Sequence, residues 1–444
     1  MTCKPILRHG LCLLLLGALL TLSAACSMMH EDYADTEQGT VEAYVSVRIA
    51  IGSGFAGTRA DDPKGGDDGN GREAGINQEN TIHNVTLLLF KDLTTSAVSQ
   101  IINIPAHELT LSGSIYETYP HKVTVDYGEY HVVAIANLNE NIDFNEKSFP
   151  QIANIIAQKP WENIGTDIDK TDHFTMTSIT DATVSITRSE TLGTYENPFV
   201  VGDITVERLA ARIDIDADGS KAADDFTYDY LKQSDNSIVG TVKILEVKAF
   251  NLLTSGTYLL KHFSANGTGT DIAFYGTEGT SPTQTHYVWD PHTSDKTAET
   301  YTNSLPDDAS LSAQFATTPA ALLADKTVAS GDDANHKYFI LTYAQENTLP
   351  KSMTADADLR KYATALAVHY TITENGGTPV DYYDTYLLKH NNNSDVMRYG
   401  IVRNNIYRVS FIPPKKTVEE DNPKLTLKIK VKKWDVFTHS TIYM

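Results

Sequence analysis

An Asp-x-Asp-x-Asp-Gly sequence at residues 214–219 resembles the loops that bind calcium in other proteins. Asp214, Asp216 and Asp218 would supply the carboxylate oxygens that this cation prefers. The twelfth position of such a loop carries a bidentate Glu, whereas this chain has Asp225 there, and a strand pattern runs into the loop. The alternative is a strand that ends in a turn and has four inward residues, namely Leu209, Ala211, Ile213 and Ile215. We favour the strand and predict neither a metal site nor a cofactor.

Other side chains that could do chemistry show no catalytic spacing. Asp61, Asp62, Asp67 and Asp68 lie among glycines and are typical of a solvated hinge. The 14 His residues show no spacing for metal ligation, and the chain has no Gly-x-Ser-x-Gly sequence. Sequence cannot give the separation of a glycosidase carboxylate pair, so a secreted hydrolase remains an alternative. We predict that the protein is not an enzyme.

The thiol of Cys26 is placed for a covalent modification. Lys4 and Arg8 precede an apolar run, Leu11–Leu22, and small residues then lead directly to Cys26. The apolar run is too short to span a bilayer, so residues 1–25 are predicted to be a bacterial lipoprotein signal peptide. Lipid chains on Cys26 would anchor the precursor in the cell outer membrane, since each buried CH2 contributes about 0.8 kcal/mol. Ordinary secretion with an incidental Cys26 is the alternative.

The composition limits the partners and the source of stability. Only three cysteines occur, and Cys3 and Cys12 would leave with the signal peptide, so a single mature chain forms no disulfide. A chain of 444 residues is long enough to rely on a large apolar core instead. The formal charge of -21 argues against nucleic acid as a partner, because that ligand requires a basic face.

A strong strand pattern precedes a loop that proteases could reach. Within Val41–Ile51 the odd-numbered residues are apolar, which predicts one buried face: Val41, Ala43, Val45, Val47, Ile49 and Ile51. The following residues, 52–71, are rich in Gly and Asp and are predicted to form an exposed loop that contains Arg59 and Ala60. Exposed loops of this kind are preferred sites of proteolysis.

The remaining pattern predicts a mostly-β protein with minor helices. Short apolar segments recur between turn residues, as in Asn84–Phe90 and Ile406–Ile412, and favour antiparallel β-sandwiches. One helical pattern places Phe149, Ile152, Ile155 and Ile156 on a shared face. We place a domain junction near residue 205, with one sandwich over residues 60–205 and a second over 206–444.

Six segments, taken in this order, resemble those of the fimbrillins, the major fimbrial subunits of type V pili. Two are similar to paired strands of the family's N-terminal domain, one to a motif before its last strands, one to the strand at the domain junction and two to the C-terminal signature. They are Val85–Phe90, Tyr130–Asn137, Phe174–Thr177, Val206–Ile213, Ile401–Val409 and Val431–Val436. The resemblance extends over nearly the whole chain.

The resemblance implies a fold and a processing step. It implies two tandem Greek-key β-sandwich domains of the transthyretin-like type. In the family, an Arg-specific protease cuts after an arginine in the loop that matches residues 52–71 and removes the first strand. Arg59 occupies that position, with Arg72 as a second choice, so Ala60 would begin the mature chain and residues 26–59 would be a propeptide.

The C-terminal residues have a second alternating pattern. Residues of one parity form a candidate donor strand for the groove that the first strand leaves: Trp434, Val436, Thr438, Ser440, Ile442 and Met444. Insertion of this strand into the next copy would build an open filament, because a head-to-tail contact does not close. The alternative is that Trp434–Met444 is the last strand of its own domain.

We therefore expect a structural subunit of extracellular fimbriae that supports adhesion and biofilm formation. Its expected partners are further copies or related fimbrial subunits, an Arg-specific protease, the outer membrane before cleavage, and a host or bacterial surface receptor. The free C-terminal strand favours a stalk role over a tip or accessory role. A permanently anchored lipoprotein that binds glycan through its many Tyr and Trp residues remains an alternative.

Overall fold

The computed structural model describes residues 39–52, 72–161, 173–179, 181–222, 225–254, 256–264, 287–293, 296, 301–317, 322, 328–329, 338–350, 352–389, 399–417 and 423–435. The strands up to residue 208 are β1 (Thr40–Ser46), β2 (Arg48–Ile51), β3 (Arg72–Ala74), β4 (Asn84–Phe90), β5 (Val98–Pro105), β6 (Leu109–Ser112), β7 (Ile115–Thr118), β8 (His121–Asp126), β9 (Gly128–Ala136), β10 (Ile156–Ala157), β11 (Met176–Ser178), β12 (Ala182–Ile186), β13 (Phe199–Val200) and β14 (Ile204–Arg208).

The later strands are β15 (Ala211–Asp216), β16 (Thr227–Lys232), β17 (Ile238–Phe250), β18 (Thr257–Tyr258), β19 (His262–Ser264), β20 (Tyr287–Trp289), β21 (Val328–Ala329), β22 (Tyr338–Ala344), β23 (Ala365–Glu374), β24 (Val380–Leu387), β25 (Asn405–Ile412), β26 (Lys415–Lys416) and β27 (Thr426–Asp435). The helices are α1 (Phe149–Ala153), α2 (Asp356–Tyr362) and three 3-10 turns at Asn77–Asn80, Ala106–Glu108 and Ser312–Gln314. The prediction of a mostly-β protein with minor helices is confirmed.

Two sheets enclose the core of the N-terminal block, which we define as β1, β2, β4–β9 and β11–β14. A three-stranded sheet has the order β13-β1-β8, and a larger sheet has the order β5-β4-β9-β11-β14-β2-β7-β6, with β12 also paired to β9. Alternate side chains from both sheets, such as Val45 and Val123 from one and Leu87 and Val132 from the other, meet in one apolar cluster. This packing of two sheets across a shared core is sandwich-like.

Two further sheets form the C-terminal block, which we define as β15–β17, β21–β27 and β3. Their strand orders are β21-β22-β15-β25-β27-β3 and β24-β23-β17-β16-β26. Ile213 and Val409 of the first sheet pack with Val242 and Val368 of the second in another apolar cluster. Strand β3, which follows residues 53–71 in the sequence, pairs with β27, so the chain belongs to the C-terminal block at Arg72–Ala74.

The strand predicted over Val41–Ile51 is divided at Val47 into β1 and β2. One extended segment passes from the three-stranded sheet into the larger sheet, and Val47 makes its hydrogen bonds with Thr118 at the crossing. The pairing is also less uniform than the predicted antiparallel sandwich. Five ladders are parallel, including β1 with β13 and β2 with β14, because they join segments far apart in the sequence.

The predicted helical pattern at residues 149–156 is longer than the helix. A capping box of Ser148 and Gln151 begins α1, but the helix ends at Ala153 and Ile156 already belongs to β10. Tertiary pairing of β10 with β18 decides the conformation there.

Strands β5–β7 and β16 were not predicted from the sequence. Among the described residues, no helix is both long and apolar enough to span a membrane.

The strand at the predicted signature, Val206–Ile213, is in fact two strands, β14 and β15, that belong to the two different blocks. The predicted inward residues of this region, Leu209, Ala211, Ile213 and Ile215, are buried, but the alternating Asp214 and Asp216 are buried as well, at 0% and 2% exposed. Strand β15 is paired along both edges, with β22 and β25, and residues 211–216 on both of its faces are at most 2% exposed. Buried charged residues at this place require partners, which the next section describes.

Candidate functional site

The candidate functional site is centred on residues 40–52, which we call the leading segment. Its odd-numbered side chains enter the core of the N-terminal block: Ala43, Val45, Val47 and Ile49 are at most 2% exposed, Ile51 is 7% exposed, and Val41 packs at the margin. At roughly 2 kcal/mol for each buried Val or Ile, four such side chains contribute on the order of 8 kcal/mol. The leading segment is therefore part of the core.

The backbone of the leading segment is paired on both flanks. Strand β1 lies between β8 and β13, and strand β2 lies between β7 and β14. Hydrogen bonds continue beyond the ladders, since Val201 N donates to Ser46 O over 2.9 Å and Gly52 N donates to Val206 O over 2.7 Å. Removal of the segment would leave four neighbouring strands with unpaired N–H and C=O groups and would separate β6 and β7 from the larger sheet.

The outward side of the leading segment is held more loosely. Arg48 forms ion pairs with Glu117 and Asp203, and Glu42 pairs with Lys122, but all these side chains are at least 43% exposed. Exposed ion pairs of this kind contribute between 0 and about 1 kcal/mol because water and salt screen them. The segment is thus retained mainly by its buried face and its backbone ladders.

A buried cluster joins the two blocks beside the end of the leading segment. Arg212 of β15 contacts Glu79 at 2.8 Å and Asp214 at 2.9 Å, and all three side chains are 0% exposed. Glu79 also accepts hydrogen bonds from the Tyr343 hydroxyl and from Ile76 N. Burial, followed by the nearby Glu79 carboxylate, raises the pKa of Tyr343, so this hydroxyl stays protonated and donates.

Arg208 of β14 occupies the same cluster. Its Nε donates to Glu79 O over 2.9 Å, one terminal nitrogen donates to Asn404 Oδ1 over 3.0 Å, and its guanidinium lies 4.6 Å from the Trp434 ring centroid. Asn404 in turn donates from Nδ2 to Gly52 O over 3.3 Å. Two segments that the sequence analysis singled out, Val206–Ile213 and Ile401–Val409, therefore meet at the end of the leading segment.

A second buried set of charges lies between the blocks. Lys261 contacts Glu207 at 2.6 Å, and Arg403 contacts Glu346 at 2.6 Å, with all four side chains 0% exposed. Burial raises the pKa of Glu207 against the opposing effect of Lys261 and Arg403. Glu346 also accepts from Thr257 Oγ1. These contacts fix the C-terminal signature against the junction.

The structure locates only some of the predicted site residues. Cys26, Arg59 and Ala60 lie outside the described residues, as do five of the six candidate donor residues: Val436, Thr438, Ser440, Ile442 and Met444. Arg72 is described, and it lies in β3 opposite Lys433 of β27. A protease binds its substrate as an extended unpaired chain, so this pairing favours Arg59 over Arg72 as the processing residue.

Trp434 lies in the core of its own chain in this structure. Its side chain is 0% exposed, and its ring packs 5.3 Å from Phe174 and 6.0 Å from Tyr343. It belongs to β27, which is paired with β25 and β3. The alternating pattern that begins at Trp434 therefore includes one residue of the chain's own sheet.

The aspartates of the calcium-like sequence have other partners. Asp214 accepts two hydrogen bonds from Arg212, and Asp216 accepts from Ser410 Oγ and from Asp218 N. Within the described part of the chain, no group of three or more His, Cys, Asp or Glu residues is arranged to hold a metal ion.

A cavity of about 620 Å³ lies elsewhere on the N-terminal block, between edge strand β5 and residues 138–145. Amide and carboxylate groups line much of it, including Asn84, Asn103, Glu140 and Asn145. Its one aromatic lining residue, Phe144, is 4% exposed and belongs to the core.

Residues 43–225 match the protein-family model described as the major fimbrial subunit protein FimA. This region includes most of the leading segment and all of β4–β15. No relative of the chain was found among curated proteins. The match confirms the family resemblance that the sequence motifs indicated.

Three solved structures of fimbrial or adhesion proteins are similar to the chain. The tip fimbrial protein Mfa3 of Porphyromonas gingivalis, with a C-terminal truncation, has 13% identity and a TM-score of 0.40. A protein described as a cell adhesion protein and a fimbrial assembly protein, both from Parabacteroides distasonis, have 16% and 10% identity and TM-scores of 0.43 and 0.37. Each match covers 89% of this chain and 100% of the other. At TM-scores this low, the similarities carry no argument about the chain.

Proposed function

We propose that the protein, whose residues 43–225 match the model of the major fimbrial subunit family, is a stalk subunit that polymerises by strand exchange. The precursor is exported as a lipoprotein anchored through Cys26 to the outer membrane. Cleavage after Arg59 then releases the leading segment, and residues after Asp435 of another copy take its place. The product is an extracellular fimbrium that supports adhesion and biofilm formation.

The central position of the leading segment is the observation that carries this proposal. A strand close to the N-terminus is paired on both sides in two sheets and supplies buried side chains to their shared core. The same strand is followed by the Gly- and Asp-rich residues 53–71, the type of sequence that proteases cut. Cleavage there would leave an apolar groove with unpaired backbone, which favours capture of another strand.

The occupied groove also explains how export and assembly are kept apart. Before cleavage, the leading segment pairs with the backbone of four strands, β7, β8, β13 and β14. The groove between them is therefore closed to a second copy in the precursor. After cleavage, the remaining chain keeps β3 and the Glu79 cluster, which fasten its first described residues to the C-terminal block. Processing would therefore open the groove while β3 and the Glu79–Arg212 ion pair still fasten the remaining chain to the C-terminal block.

Cleavage of the purified precursor with an Arg-specific protease tests the proposal. The parent protein is expected to lose residues 1–59 and to form a ladder of polymers. The Arg59→Ala variant is expected to remain uncut at this position and monomeric, whereas Arg72→Ala behaves as the parent. Normal polymers from Arg59→Ala, or their loss in Arg72→Ala, would overturn the choice of Arg59. Normal polymers after deletion of residues 437–444 would overturn the donor role of the C-terminal residues.

The glycan-binding lipoprotein remains the second candidate because of the cavity beside β5. Its amide and carboxylate lining offers hydrogen bonds to sugar hydroxyl groups, but no exposed aromatic ring lines it for stacking. This candidate predicts an uncut monomer that retains its lipid, together with loss of glycan binding in Asn103→Ala. A polymer that lacks residues 1–59 would reject it.

A further inference from the structure

A compact loop beside the leading segment is positioned to recognise whichever strand occupies the groove. The recognition loop, Ser189–Asn197, bonds mainly to itself: Leu192 N donates to Ser189 Oγ, Asn197 Nδ2 donates to Thr191 O, and Gly193 N donates to Asn197 O over 2.8 Å. Such internal hydrogen bonds fix the loop without help from the leading segment. The loop therefore keeps its shape when the groove changes its occupant.

Two groups of this loop contact the leading segment at one residue, Tyr44. Tyr44 N donates to Gly193 O over 3.0 Å, and the Tyr195 ring meets the Tyr44 ring edge to face, with centroids 5.7 Å apart and planes at 88°. Gly193 has φ +82°, and a Cβ there would lie 2.6 Å from the Phe199 ring, so its carbonyl is held in one direction. The loop thus contacts both the backbone and the outward side chain of the residue at position 44.

The outer wall around this contact is apolar. Tyr195 is 52% exposed, Leu192 is 44% exposed, and Val200, which pairs with Ser46, is 64% exposed. Loss of Tyr44 with the leading segment would uncover this wall further. An apolar wall beside an open groove favours an incoming strand that carries an aromatic side chain at the same outward position.

The residues after Asp435 fit the groove best in the direction of the strand that they replace. With Ile442 at the place of Ile49 and Met444 at the place of Ile51, the two largest apolar residues of this parity take the two deep isoleucine sites. Thr438 then replaces Val45, which has the same shape. The same register brings Phe437 to the position of Tyr44, Val436 to that of Ala43 and Ser440 to that of Val47.

The reverse direction fits less well. It brings an aromatic residue, Tyr443, to position 44 only if Met444 replaces the small Ala43 and Thr438 replaces Ile49. A bulky residue at a small buried site costs strain, and a polar residue at a deep apolar site costs burial. Ser440 falls at the buried Val47 in either direction, and Val436 at Ala43 costs less strain than Met444 there, so the forward direction fits the groove better.

We propose that Gly193 and Tyr195 form a specificity element for the donor strand of the next copy, which enters in the direction of the leading segment with Phe437 against Tyr195. This inference rests on the proposed strand exchange and adds to it the direction, the register and the residue that is recognised. The occupant is residues 436–444 of a second copy of this chain.

Cross-linking of paired cysteines tests the direction and register. All three native cysteines precede Arg59, so two introduced cysteines are the only thiols of the cleaved chain. A short bismaleimide is expected to join the Tyr195→Cys, Phe437→Cys protein into covalent polymers and to leave the Tyr195→Cys, Tyr443→Cys protein unlinked. The uncut Tyr44→Cys, Tyr195→Cys precursor, mapped by mass spectrometry, is the positive control. The opposite pattern would overturn the inference while strand exchange stands.

Polymerisation rates test the recognition itself. Tyr195→Ser and Phe437→Ser are each expected to slow or weaken assembly about threefold to tenfold, the usual range for loss of an aromatic pair, whereas Tyr195→Phe retains assembly. Ile238→Ser is the matched control, since Ile238 is 56% exposed in the C-terminal block. Assembly of Tyr195→Ser at the parent rate would overturn the inference alone. A cleaved parent that never polymerises would overturn strand exchange and this inference with it.

Discussion

The side-chain amide of Asn404 donates a hydrogen bond to the main-chain carbonyl of Gly52 over 3.3 Å and so links residues 352 positions apart in the sequence. Gly52 ends the leading segment, whereas Asn404 belongs to the C-terminal signature. The same amide group accepts from Arg208 over 3.0 Å. The end of the leading segment is thus hydrogen-bonded directly to the cluster that joins the two blocks.

Asn404→Gly is expected to lower the free energy of unfolding of the uncut precursor by about 1 to 3 kcal/mol, because it leaves buried donors and acceptors unpaired. Glycine is the suitable replacement, since Asn404 has φ +56° and any other side chain would add backbone strain. Urea denaturation measures the effect. Asn141→Gly, at an exposed position, is the control. An Asn404→Gly precursor as stable as the parent would show that the contacts of Asn404 do not stabilise the protein.

Ile49→Ala is expected to destabilise the precursor by about 2 to 4 kcal/mol, because Ile49 is 0% exposed and its loss leaves a cavity. The same substitution should leave the dissociation temperature of the finished polymer unchanged, since residue 49 is absent from it. Arg48→Ala, at the exposed neighbouring position, should cost the precursor no more than about 1 kcal/mol and should leave the dissociation temperature of the polymer unchanged. A less stable Ile49→Ala polymer would mean that the leading segment is retained.

Glu79→Gln is expected to destabilise the precursor by about 3 to 5 kcal/mol, because it removes one of the two carboxylates that pair with the fully buried Arg212 guanidinium. Glu117→Gln, which breaks an exposed ion pair with Arg48, is the matched control and should cost less than about 1 kcal/mol. Chemical denaturation compares the two. Equal effects would show that Glu79 does not hold the blocks together.

The stability of the precursor is expected to decrease as the pH falls below about 6.5, the ordinary pKa of a histidine side chain. Burial lowers the pKa of His83, whose ring stacks on His173 with centroids 3.3 Å apart. A histidine with a lowered folded-state pKa takes up its proton more readily in the unfolded chain, so its contribution is present above about pH 6.5 and is lost below it.

Thermal unfolding of His83→Asn and of the parent at pH 7.5 and 5.5 checks this expectation. The variant should lose less stability between the two pH values than the parent. His107→Asn, at a side chain that is 79% exposed, is the control and should follow the parent. An unchanged pH dependence in His83→Asn would contradict the assignment.

Local patterns predicted most strands because they arise from neighbouring residues. The alternation in Val41–Ile51 predicted which side chains are buried, and Asn84–Phe90 has the predicted bounds. The division at Val47 could not be predicted, since it depends on two sheets that meet there. Glu79 was missed for a similar reason: its short 3-10 turn has no pattern, and its partner Arg212 lies 133 positions away.

Two sequence patterns had more than one structural meaning. The alternation that begins at Trp434 continues into the candidate donor residues, but pairing with β25 and β3 makes Trp434 part of its own sheet. Asp214 fits a calcium sequence, yet in the fold its carboxylate faces Arg212. In both cases, the deciding contacts are distant in sequence.

The mass of the subunits released from purified polymer tests the central claim most directly. Polymer is assembled from protease-treated precursor, washed, dissociated in denaturant and measured by intact-mass spectrometry. Strand exchange predicts chains that begin at Ala60, with no peptide containing residues 40–52 in the dissociated material. Recovery of that peptide in equal amount with the subunits would show that the leading segment stays in its groove, and would contradict strand exchange.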